Sequence, residues 1–244
     1  MLEKTKGIVL KTIKYGDTSL IGSVFTEKFG LQSYIIKGVR SHKSKQAKAS
    51  LLFPSSLLEM VVYHNPQKKL QLVKEFQADY FYQDLGAHII KNGIAVFAME
   101  FLMQLLITDD AHGTLFLFTK DFLIQLDQSE SNKLANFPLF FLIQSGRLSG
   151  YYLSGSFSTE TPLLDLSEGR FTHLEAIYPP FITSATAEIM SRLNHAKNLE
   201  EIKEIKMSKT TRKAVLNYYL AFFQKHLPHF KELKSVAVLA AILN

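Results

Sequence analysis

The sequence predicts an α+β chain in two domains, a small β-barrel over residues 1–78 and an all-helical domain over residues 79–244 that carries an irregular loop or lobe at 149–180. Three observations predict it. From Lys6 to Phe76 short β-branched and aromatic runs alternate with glycine-bearing turns, which is the period-2 grammar of strands. After Asp79 apolar residues recur at i, i+3 and i+4, the spacing of helices that bury one face. The charge is divided too: the first 48 residues hold ten Lys or Arg against Glu3, Asp17 and Glu27, whereas the remainder holds eighteen basic residues against nineteen acidic.

The expected strands are Gly7–Tyr15, Leu20–Thr26, Leu31–Lys37, Ser56–Tyr63 and Leu70–Phe76. Gly16-Asp17-Thr18-Ser19 and Glu27-Lys28-Phe29-Gly30 have hairpin-loop length with a glycine available for positive φ, and Asn65-Pro66-Gln67-Lys68 punctuates the last pair. Five strands in about 70 residues is the size of an OB-fold β-barrel, with the long connection Gly38 to Phe53 between the third and fourth strands.

In the helical part, Ile90, Ile94, Phe97, Phe101 and Leu105, with Val96, Met99, Met103 and Leu106 beside them, predict a helix with a wide apolar face. Further helices are expected over Thr114–Leu126 and over Leu134–Leu148, the latter with Pro138 tolerable only in its first turn. Thr183–Leu193 and Ser208–His226 follow, the last capped by Ser208 and stopped near Pro228. Ser149 to Pro180, rich in Gly, Pro, Ser and Thr, fits neither period and reads as a long loop or small lobe.

Composition excludes several classes of function. With no cysteine there are no disulfides, thiol nucleophiles or thiolate-bound metals, which fits a reducing, cytoplasmic setting. The longest apolar run, Ile94 to Ile107, is 14 residues long and interrupted by Glu100 and Gln104, too short for a membrane span. No P-loop, GxSxG elbow, HExxH or GxGxxG motif is present, and the eight histidines are dispersed, so neither an enzyme nor a cofactor is expected.

The candidate site is therefore the basic block, because proteins that bind phosphate backbones gather Lys and Arg on one surface and displace condensed counterions. Lys37 ends the third strand and Arg40, Lys43, Lys45 and Lys48 fall in the long connection after it, where OB barrels border their ligands; Lys11 and Lys14 add charge from the first strand. Tyr34 is the expected base-stacking residue, with Tyr15 and Phe29 as other aromatics; each could equally be a core residue, since alternation alone does not say which face is inside. Lys206, Lys209, Arg212 and Lys213 form a second basic group, a possible secondary DNA contact or a solvated helix face balanced by Glu200, Glu201 and Glu204.

Four elements in the first 45 residues resemble the opening of the RecO recombination-mediator family: Gly7/Val9/Leu10, Tyr15/Asp17/Ser19, Thr26/Gly30 and Lys37/Gly38/Arg40/Ser44. More loosely, LDLSEGRF (Leu164 to Phe171) and the stretch Phe223 to Ser235 resemble later segments of the family. The resemblance implies an N-terminal OB fold, a helical C-terminal domain, and a non-enzymatic DNA repair and recombination mediator. Such a mediator binds single-stranded and double-stranded DNA, anneals complementary strands, and assists recombinase loading on strands coated by single-strand-binding protein, together with a RecR-type partner. It implies a cytoplasmic, nucleoid-associated setting. Many members carry a four-cysteine zinc module in the second domain; this chain lacks the cysteines, so Ser149–Arg170 is expected to be a metal-free substitute held by packing. Because phosphate contacts do not distinguish the sugars, an RNA-binding OB module with a helical interaction domain is the alternative reading.

Overall fold

The computed structural model describes residues 1–40, 46–106, 111–173, 181–182 and 184–243. The chain forms two compact units, Met1–Gln128 and Ser129–Asn244.

In the first unit β1 (Leu2–Tyr15), β2 (Ser19–Thr26), β3 (Gly30–Ile36), β4 (Leu57–Tyr63) and β5 (Leu70–Ala78) close a barrel in the spatial order β1-β2-β3-β5-β4. The barrel followed by helices is the α+β architecture that the two periods predict. β1 begins at Leu2 rather than Gly7, and its length lets it serve two partners: Leu2–Ile8 pairs with β4 and Gly7–Tyr15 with β2. A register shift between Val9 and Lys11 bends the strand between those tasks. Gly7 lies where the two ladders overlap, and a Cβ there would come within 2.7 Å of a Val24 methyl, so no larger residue fits without displacing the core. Parallel pairing of Ser33–Ile35 with Leu70–Leu72 completes the closure. Thr26 is fully buried at the β2–β3 turn, donating to Gly30 O at 2.9 Å and accepting from Phe29 N–H at 3.0 Å, which gives the Thr26/Gly30 pair its role.

The barrel core is Val9, Val24, Tyr34, Ile36, Leu58, Met60, Val62 and Val73, sealed by Val39 and Leu52 from the β3–β4 connection, where Gln46–Leu51 forms a short 3-10 helix. Two helices complete the unit, α1 (Ile89–Leu105) and α2 (Gly113–Gln128). α1 buries Ile94, Phe97, Phe101 and Leu105 as expected, but Val96 and Met103 are among the exposed large hydrophobics, so its apolar face is narrower than the sequence predicts. Phe116 of α2 meets Phe25 of β2 edge-on at 5.5 Å. Asp79, nearly buried, ion-pairs with Lys6 of β1 at 2.8 Å and Lys120 of α2 at 2.6 Å. Asp127 accepts the backbone N–H groups of Gln83, Asp84 and Leu85 and the hydroxyl of Tyr80, clasping the segment that follows β5 to the end of α2.

In the second unit a 3-10 turn, Ser131–Asn136, leads into α3 (Phe137–Leu148), with Pro138 in the first turn as its missing N–H requires. α3 is buried almost all round; at Gly146 a Cβ would stand 2.5 Å from the Phe223 ring, so the helix has to carry glycine there. The stretch expected to be irregular contains β6 (Leu163–Asp165) and β7 (Arg170–Thr172), which with β8 (Phe181–Ile182) make a three-stranded sheet of order β7-β6-β8. Leu153, Leu164, Leu166 and Phe171 bury their side chains in this lobe, and Asn194 Nδ2 donates to Leu153 O at 2.7 Å. The unit continues with α4 (Ser184–His195), α5 (Leu199–Lys203), α6 (Lys209–His226) and α7 (Ser235–Ile242). Ser208 caps α6 by accepting from Thr211 N–H at 3.0 Å.

Candidate nucleic-acid interface

β1 and β2 are joined by a turn at residues 16–18, and the chain leaving β3 folds back onto it. Arg40 N–H donates to Thr18 O at 2.9 Å, and Arg40 Nη1 to Gly16 O at 3.3 Å. Val39, beside it, is buried in the barrel core and pins the connection at its start. This fastening gathers exposed Lys14 and Tyr15 from the end of β1 with exposed Lys37 and Arg40, while Lys11 is exposed farther down the same strand. The arrangement presents cations around one end of the barrel with an aromatic ring, half exposed, among them.

Other members of the basic block have different surroundings. Lys48 is exposed and lines a cleft of about 830 Å³ with Lys4 and Lys6 but also with Glu27, Glu59 and Glu75, so its field is partly cancelled. Lys6 is held by Asp79 and Lys28 lies 3.8 Å from Glu3, so these two cations have local acidic partners. Lys43 and Lys45 lie outside the described residues.

Tyr34 requires a correction. It is fully buried in the barrel core and cannot stack on a base, because β3 points it inward opposite Gly22. Burial raises the pKa of its phenol, as expected for a hydroxyl removed from water. Of the other aromatics, Phe29 is half-buried and stacked on His64 at 3.9 Å, which leaves Tyr15 as the exposed ring beside the cations.

In the second unit Lys206, Lys209 and Lys213 are exposed, and the last two border a largely apolar groove of about 480 Å³ with Leu139, Leu216 and Leu239. Arg212 differs from them: it is half-buried, its Nε donates to Asn136 Oδ1 at 2.8 Å, and burial lowers its pKa. It fastens the start of α6 to the 3-10 turn before α3. Among the described residues no three His, Asp or Glu side chains group as a metal site, and no helix is long and apolar enough to cross a membrane.

Residues 1–81 match the family model described as Recombination protein O N terminal. Over its full length the chain is 30% identical to the full-length DNA repair protein RecO of Phocaeicola vulgatus and 28% identical to that of Azobacteroides pseudotrichonymphae. It is also 28% identical to the RecO protein of Flavobacterium psychrophilum, with 99% of each chain covered.

Proposed function

This chain belongs to the RecO family, and on that premise we propose that it is a DNA repair and recombination mediator that works without catalysing a reaction. The observation that carries the reading is the fastening of Arg40 to the β1–β2 turn, which brings Lys14, Lys37 and Arg40 around Tyr15 at one end of the barrel. Residues 1–78 serve as the main nucleic-acid module, and residues 79–244 serve structure and partners and carry a second, smaller basic surface. The protein binds single- and double-stranded DNA, anneals complementary strands, and assists recombinase loading on strands coated by single-strand-binding protein, with a RecR-type partner.

Annealing asks for partial neutralisation of two phosphate backbones while the bases stay exchangeable. Lysines and arginines at the end of a barrel supply the first, because their contacts are electrostatic and sequence-independent. Lys11, Lys14, Lys37, Arg40, Lys43, Lys45 and Lys48 are the backbone contacts in this reading, with Lys206, Lys209 and Lys213 as a second surface.

Annealing of complementary strands coated with single-strand-binding protein, followed across a salt series, tests it. Acceleration that fades with salt is the expected result. The Arg40→Ala/Lys43→Ala/Lys45→Ala/Lys48→Ala variant should bind single strands with a log–log salt slope shallower by roughly 3. An unchanged affinity and slope would remove the loop as the contact surface. Tighter binding of RNA than of DNA of equal length would turn the reading toward an RNA-binding module.

A further inference from the structure

An apolar band winds around the outside of the barrel. Registered pairs join Leu2 to Tyr63, Tyr63 to Leu72, Leu72 to Ile35, Ile35 to Ile21 and Ile21 to Ile13, so one side chain from each successive strand continues the row. All six face outward. Each is next in sequence to an inward residue or pairs with one that is: Tyr34 precedes Ile35, Val73 follows Leu72, and Val62 precedes Tyr63, and all three inward residues belong to the core. Leu2, Ile13 and Tyr63 are 49%, 50% and 47% exposed, and Ile21, Ile35 and Leu72 are partly so. The row starts and ends on β1, displaced along it by the stagger that closing a barrel imposes.

Exposed β-branched and aromatic residues scattered singly need no explanation, but a registered row across every strand of a barrel does. The band spans five inter-strand steps, roughly 24 Å at about 4.8 Å each. Cations border it on β1 and β3. Lys4 and Lys11 stand two residues from Leu2 and Ile13 on β1 and Lys37 two residues beyond Ile35, all three exposed; on β5 the border is mixed, because Lys74, at the register shift beyond Leu72, lies 3.5 Å from Glu75. Tyr15 continues the outward side of β1 beyond Ile13, toward Arg40.

An apolar track bordered by cations complements one ligand: a strand with unpaired bases, whose faces are apolar and whose backbone is anionic. A duplex keeps its bases stacked inside and can use only the lysines. From this juxtaposition we infer that the band Leu2–Tyr63–Leu72–Ile35–Ile21–Ile13 is a base track for single-stranded DNA, running across the strands of the barrel. This deepens the DNA-binding reading above and rests on it. The span suits the shorter site sizes of OB barrels, at least about four nucleotides. It also makes the protein's two substrates unequal: the cations serve both, and the band serves only the single strand.

Titration of the full-length protein with an oligothymidylate and with a duplex of equal length tests the inference by fluorescence anisotropy. In Ile13→Thr/Tyr63→Thr, where threonine keeps β-propensity and removes apolar surface, single-strand affinity should fall roughly tenfold, while duplex affinity and salt slope stay at the native values. Ile13→Val should bind like the native chain, and thermal melts of both variants should overlay it. Equal losses on the two ligands, or no loss on either, would overturn the base track and leave DNA binding intact. Failure of the native chain to bind either ligand would overturn the DNA reading itself. A native dimer that the double variant dissociates in light scattering would make the band a protein interface and also overturn the track.

Discussion

Tyr34 leaves β3 toward the barrel core, where its ring packs with Val24, Val62 and Val73, and its hydroxyl has no hydrogen-bond partner among the described residues. The Thr26 hydroxyl beside it is already committed to Gly30 O and Phe29 N–H. A buried hydroxyl without a partner costs desolvation that a phenyl ring of the same shape does not. Tyr34→Phe should therefore raise stability by about 1 kcal/mol in denaturant melts and leave DNA affinity unchanged. The sequence does not disclose Tyr34's direction, because Ser33-Tyr34-Ile35-Ile36 lacks a clean polar-apolar alternation and either face could be inside. Tyr15, which alternation left equally open, is exposed because it sits at a strand end beside a turn, where little remains to cover it.

Among the elements, α6 shows that a basic group need not act as one. Lys209 and Lys213 are exposed, whereas Arg212, between them in sequence, is turned toward Asn136 and Met207. Arg212→Ala should destabilise the protein by about 1–3 kcal/mol, since it leaves the buried Asn136 carbonyl unpaired, and should not change DNA affinity. Lys209→Ala/Lys213→Ala should leave the melting temperature in place; thermal melts with parallel binding titrations separate the two. The strands of the barrel are legible in the sequence because each is five or more residues of β-branched or aromatic character between turn signals. The start of β1 is not, since Glu3-Lys4-Thr5-Lys6 is mostly polar and takes its structure from pairing with β4. β6, β7 and β8 are two or three residues long, too short to express a period, and α5 and α7 are five and eight residues long, with similarly little signal.

At the scale of the whole molecule, the two units differ in what holds them at low pH. Asp79 and Asp127 both lie in Met1–Gln128. Burial by itself would raise each carboxyl, but Lys120 and Lys6 outweigh it at Asp79, and three backbone N–H groups with Tyr80 outweigh it at Asp127, so both titrate below the ordinary range. With folded values below the unfolded value of about 4, the stability they contribute is whole above that pH and is lost as pH falls through the folded values. Acidification below about pH 4 should therefore open the first unit before the second, read as earlier loss of amide protection in peptides from residues 1–128. The division into a barrel and helices was legible from the change of period near Asp79; that the barrel's compact unit runs on to Gln128 was not, because the contacts that join α2 to it, Phe116 on Phe25, Lys120 on Asp79 and Asp127 on residues 80–85, are long-range and leave no local pattern. β1 carries a further consequence, for the order of folding. Its C-terminal half meets β2 across a turn of three residues, a pairing open to the chain within microseconds of both strands being made. Its N-terminal half waits for β4, some fifty residues downstream, so a strand made before the other four of the barrel is also among the last to be fully paired, and the growing chain exposes an unsatisfied edge until Leu57–Tyr63 arrives to cover it.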